Sequence, residues 1–240
     1  MWTWTLVLAL VFGAWAPPVT APVTAPVTAP VTAPVTAPVA AADLLDPPET
    51  EAGYLALLLI NEVPFPGERG WISEADSKAA MLSILWVLHS RIHHIPPGYR
   101  QVHVAAVRTT DILDVITVGG RRGQCDGFYR VARGRPAAVE RVHDRVGYLV
   151  GIASKGTPGR FARLLGYAQG LARSYATEGP DGADRYAKLH RIGRVDVTGR
   201  AYSWMTNEGS HDPGGNFVRI PDEFEGAVGG NRFFTLRKDP

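Results

Sequence analysis

Glu51-Ala52-Gly53-Tyr54-Leu55-Ala56-Leu57-Leu58-Leu59-Ile60-Asn61-Glu62-Val63 is the stretch on which the fold turns. Its middle is apolar on every side, and Pro64 and Pro66 follow at once. A helix that is hydrophobic all round must be covered all round, and proline stops it because it has no amide to donate. The stretch predicts a buried helix over 51–63 with the other elements arranged about it.

Moving outward, Ser73-Glu74-Ala75-Asp76 resembles a capping box and opens a longer helix. Its stripe of Met81, Ile84, Leu85, Leu88, Ile92 and Ile95 has helical spacing, and Pro96-Pro97-Gly98 ends it. Thr110–Val118 predicts a short helix with Asp111 in its first turn and Gly119-Gly120 past its end. Ala137–Ile152 predicts another. Thr157-Pro158 is an N-cap and N1 pair opening a helix through Phe161, Leu164, Leu165, Ala168, Leu171 and Tyr175. After Gly179 the texture changes. Arg194–Thr198, Ala201–Thr206, Asn216–Ile220 and Arg232–Arg237 alternate with Gly, Pro and Asn, which predicts hairpins and loops. The expected fold is mainly α within an α+β class, one domain over 43–240 with a short strand-and-loop C-terminal part.

The residues before that domain read differently. Residues 2–16 form an uncharged apolar run, short for a membrane-spanning helix and right for the core of a signal peptide. Residues 1–16 are therefore expected to be a signal peptide or an uncleaved anchor, placing the domain outside the cytoplasm, in the periplasm, the wall or the medium. No cysteine follows closely, which excludes a lipoprotein. From Pro18 to Ala37 the tetrapeptide Pro-Val-Thr-Ala repeats five times. A proline every fourth residue prevents helix and inner strand, so 17–42 reads as a linker of polyproline type, some 20 residues reaching about 60 Å.

The 25 basic and 23 acidic side chains, net charge +2, all lie beyond residue 42. That balance is too slight to argue for nucleic acid. The single cysteine, Cys125, excludes an internal disulfide and a zinc ribbon. Following Gln124 in a loop, it is expected to be unpaired, partly accessible and without catalytic duty.

Glu62 stands out on physical grounds. It closes the apolar run, at the end of a helix whose carbonyls present negative charge. Desolvation and that charge both favour the neutral acid. A carboxyl group still protonated near neutral pH is a general acid, the role that glycosidic cleavage requires at the leaving oxygen. His89 and His93 stand four apart but lack the glutamate of a zinc-protease helix, so no metal is expected there. His94, His103, His143, His190 and His211 are scattered. Gly119-Gly120-Arg121-Arg122-Gly123 has no Lys-Ser/Thr and reads as a helix end plus a basic turn beside a groove.

Three elements then resemble a known family. Ile60-Asn61-Glu62-Val63, the turn Pro66-Gly67-Glu68 and the helix Ala79–Arg91 look like the opening of the germination-type (SleB-like) cell wall hydrolases. Asp114-Val115-Ile116 with Gly123-Gln124-Cys125-Asp126 is similar to the family's Val-Ile…Gly-Gln-Phe-Ser element. Gly229-Gly230-Asn231-Arg232-Phe233-Phe234 is similar to its closing Ile-Gly-Asn-His-Val-Phe. Cys125 stands where the family has Phe and Arg232 where it has His, and residues 130–200 match no family element. The resemblance implies a lysozyme-like domain that cleaves peptidoglycan glycan strands with one essential glutamate and no cofactor or metal.

Glu62 is favoured as that acid over Glu68, which sits among Gly and Pro. A single acid suits a lytic transglycosylase; an inverting hydrolase needs a second carboxylate, for which Asp126 and Glu68 are the candidates. Gln124, Asp126, Tyr202, Trp204 and Asn231 are the expected substrate-binding residues, because aromatic faces and amide groups suit sugar rings. The expected partner is the glycan strand, with no nucleic acid and a membrane only through the N-terminal segment. The alternative is a non-catalytic wall-binding module that keeps a degenerate lysozyme-like groove.

Overall fold

The computed structural model describes residues 44–155, 159–206 and 213–238. Residues 1–42, read from the sequence as an export segment and linker, the Thr157-Pro158 pair and His211 lie outside these. Among the described residues, six α-helices and eight short strands make a mixed α+β domain. No helix among the described residues is long and apolar enough to cross a membrane.

Helix α1 (Glu51–Glu62) starts where Thr50 Oγ1 accepts the amide of Gly53 at 3.0 Å. Eight consecutive residues, Gly53 to Ile60, are buried, so every face of α1 is used. It packs most extensively on α6 (Arg160–Glu178), then on α5 (Glu140–Ala153) and α2 (Glu74–His93). Burial on this scale is the main stabilising contribution to the domain.

Helix α2 starts at Ser73, whose hydroxyl accepts the amide of Asp76 at 3.0 Å. The expected capping box is only half formed. Asp76 instead accepts the amide of Gly229 at 2.8 Å and so holds a distant turn. Helix α3 (Gln101–Ala105) has no apolar repeat and no sequence reading foresees it. The Gln101 side chain ties it to the backbone of Thr109, donating at 2.6 Å and accepting at 3.0 Å. Helix α4 (Ile112–Thr117) is shorter than expected, and Asp111 is its N-cap rather than part of its first turn.

The helix expected from Ala137 begins at Glu140, because Pro136–Ala138 is strand β2, paired antiparallel with β1 (Phe128–Arg130). Tyr54 on α1 decides this: its hydroxyl donates to the Ala137 carbonyl at 2.8 Å and accepts the Tyr129 amide at 3.1 Å. A contact across 83 positions overrides local helix preference.

Strands β3 (Leu189–Ile192) and β4 (Val195–Gly199) form a hairpin. The last sheet is built on β8 (Asn231–Leu236), which pairs antiparallel with β5 (Ser203–Thr206), β6 (Phe217–Arg219) and β7 (Ala227–Val228). Gly229-Gly230 joins β7 to β8 as a two-residue hairpin with positive φ at both positions, 53° and 69°. That conformation is the reason for two glycines there. It seats the turn against α2, where a Cβ on Gly229 would fall 2.3 Å from that of Ala80.

Candidate active site

The end of α1 and the β5–β8 ladder bring the expected residues to one place. Trp204 lies opposite Phe233 and Thr206 opposite Asn231 in that ladder. Trp204 Nε1 donates to Glu62 Oε2 at 2.9 Å, across 142 positions of sequence. Asn231 Nδ2 donates to the Glu62 carbonyl at 2.7 Å and to the Gly229 carbonyl at 3.0 Å. The acid is thus held by its backbone and its carboxyl group together. Asn231 is 1% exposed, and its Oδ1 has no partner in this arrangement.

Glu62 lines a cleft of about 280 Å³ with Glu68, Arg145, Thr206, Gly229 and Gly230. Desolvation raises its carboxyl above the usual carboxylate range, and Asp126 adds a little in the same direction. Hydrogen bonds from Trp204 and Asn61 and the charge of Arg145 oppose this without cancelling it. Desolvation is therefore the largest influence on this carboxyl group.

Arg145 meets the end of α1. From α5 its guanidinium donates to the carbonyls of Ile60 at 2.6 Å and Val63 at 2.9 Å. The same group grips Glu68 at 3.0 and 2.6 Å. The Phe65 amide also donates to Glu68, at 2.7 Å. Glu68 is therefore no exposed turn residue but a fixed strut, its two oxygens taken as acceptors. A proton donor needs a carboxyl group free to carry its proton, and the strut does not have one.

The other expected residues divide. Gln124 is exposed and its Oε1 accepts from Arg91 Nη1 at 2.5 Å. Asp126 is exposed and paired with Arg141, which leaves it beside the cleft rather than in it. Tyr202 contributes no ring to the groove. Its side chain is buried, its hydroxyl donates to the His94 carbonyl at 2.7 Å, and its carbonyl accepts from Arg91 Nε at 2.7 Å. Cys125 is 1% exposed, where partial access was expected; burial first, and then the charge of Glu62, push its thiol up. Arg232 pairs with Asp222 at 3.6 Å and does not line the cleft.

Arg91 is the residue that sequence reasoning missed. Its guanidinium lies 5.4 Å from the Trp204 ring centre, and burial pulls it down to about 10. The signal was a cation falling between Leu88 and Ile92 of an apolar stripe. Arg145 gave no such signal, because its partners Glu68, Ile60 and Val63 lie 77 to 85 positions away.

The remaining motifs go elsewhere. His89 lies 4.4 Å from His93 in a tilted ring contact and meets His94 edge-on at 5.4 Å, and burial with those neighbours pulls His89 down to about 4. Among the described residues no group of three side chains is placed to hold a metal ion. Arg121 lies over the Tyr129 ring at 4.5 Å, away from the cleft. Comparison with models of protein families, with curated proteins and with solved structures finds no match to this chain.

Proposed function

We propose that this protein is an exported enzyme that cleaves peptidoglycan glycan strands with Glu62 as its single acid and base, in a lysozyme-like domain. The observation that carries the reading is the Glu62 carboxyl group at a cleft, raised above the usual carboxylate range by desolvation and aimed by the Trp204 indole. In this reading the protonated Glu62 gives its proton to the glycosidic oxygen as the C1–O bond breaks. The C6 hydroxyl of the same muramyl ring then closes onto C1, and its proton passes to the Glu62 carboxylate, restoring the acid. No water needs activation by a second carboxylate. The occupation of Glu68 by Arg145 and of Asp126 by Arg141 favours this lytic transglycosylase over a hydrolase.

Mass spectrometry of purified glycan strands tests it. Wild type is expected to leave 1,6-anhydromuramyl ends, one water lighter than hydrolytic ends. Glu62→Gln keeps the Trp204 contact but has no proton to give, and turnover should fall by about 10²–10⁴-fold. Glu68→Gln should lose less than about tenfold. Reducing muramyl ends would make the enzyme a hydrolase, with Asp126 or Glu68 as base. Glycan binding without cleavage by wild type would identify a wall-binding module.

A further inference from the structure

Arg91 is a buried cation that meets only neutral acceptors among the described residues. It is 4% exposed, and among the described residues no carboxylate pairs with it. A guanidinium has five N–H donors. Here one goes to the Tyr202 carbonyl and one to Gln124 Oε1, both neutral acceptors, which leaves three. Removing such a cation from water is costly unless an anion or several strong acceptors meet it. Arg91 also lines a cavity of about 330 Å³, walled by Trp204, Met205, Phe217, Val104 and Gln124, and no aspartate or glutamate among the described residues lines it. Among the described residues, the remaining donors of Arg91 thus meet a cavity whose wall offers them no carboxylate.

We infer that the cavity bounded by Arg91, Gln124 and Trp204 is a receptor for a carboxylate carried by the glycan substrate. The inference rests on the glycan-cleaving reading and deepens it. A planar fork of N–H groups matches a carboxylate better than any neutral sugar group. Gln124 sharpens the match. Its oxygen is fixed on Arg91, so its Nε2 is the atom left to donate to the cavity. Trp204 links receptor and acid, its Nε1 on Glu62 and its ring against Arg91. The two sites stand on either side of one indole, so the carboxylate and the cleaved bond belong to neighbouring parts of one strand. In peptidoglycan the carboxylate is either the lactyl group of a peptide-free muramyl ring or an acid group of the stem peptide.

The test is calorimetric binding by the full chain carrying Glu62→Gln, so that strands stay intact. The probes are peptide-free strands with free lactyl carboxylates, the same strands converted to methyl amides, strands bearing stem peptides, and a chitin oligosaccharide. Free-acid strands are expected to bind at least about tenfold tighter than their methyl amides, the scale of hydrogen bonds to a charged group. If stem-peptide strands bind tightest, the carboxylate is the peptide's. In either case Gln124→Glu, at an exposed position, should erase the preference, because the added carboxylate takes the guanidinium internally. Arg91→Lys, which keeps the charge but not the fork, should weaken it.

Equal binding of all the strands, or a preference that survives Gln124→Glu in a protein of unchanged melting temperature, overturns the receptor and leaves the cleavage reading standing. Failure to bind any of the four probes, with no cleavage by wild type, removes both.

Discussion

Glu62 couples the site to the stability of the domain. Its carboxyl group is raised in the folded chain, so between its unfolded and folded values the native state holds a proton that the unfolded state has lost. Stability in that window falls as pH rises, and the full cost stands once Glu62 ionises. Glu62→Gln never ionises. It should melt at a higher temperature than wild type at neutral pH, with the gap closing as pH falls below the ordinary carboxylate range. Thermal melts of both proteins across pH 3–8 measure this, and a gap that widens in acid would show that the group is not raised. Cys125 makes a second residue-scale prediction. Its enclosed thiol should ignore Ellman's reagent in the native protein and react in denaturant, while Cys125→Ala keeps most lytic activity. Fast native labelling would contradict the packing around it.

The turn between β7 and β8 is the element on which the site depends most. Gly229→Ala puts a methyl group into Ala80 at a positive φ, which should cost about 2 kcal/mol or more. Because Asn231 follows two residues later and holds the Glu62 carbonyl, the survivors should also lose turnover, with KM moving less than kcat. Urea melts paired with kinetics would show it; a stable variant with wild-type kcat would mean that the turn is not what positions Asn231. Elements of this kind also show where sequence reading stops. Helices α1 and α2 were legible because their caps, periods and prolines lie within their own stretches. The β1–β2 pair was not, because Ala137 and Ala138 favour helix until the Tyr54 hydroxyl reaches them from α1. In the site, Glu62 was legible from the apolar run before it, and Trp204 and Asn231 from their residue types. The roles of Arg91 and Arg145 are set by partners far away in the chain, which no local pattern encodes.

At the scale of the whole molecule, α1 is the wall that α6, α5 and α2 share. Leu58 is fully buried on it, and Leu58→Ala should cost about 3 kcal/mol or more, lowering the melting temperature by roughly 6–12 °C in one cooperative transition. Two separated transitions would show that the helical and strand parts unfold independently.

Arg145 makes one side chain answer for two elements at once. Its guanidinium clasps the carbonyls of Ile60 and Val63 at the end of α1 and both carboxylate oxygens of Glu68. A deletion through α5 would therefore strip α1 of its clasp and Glu68 of its counter-charge in one event.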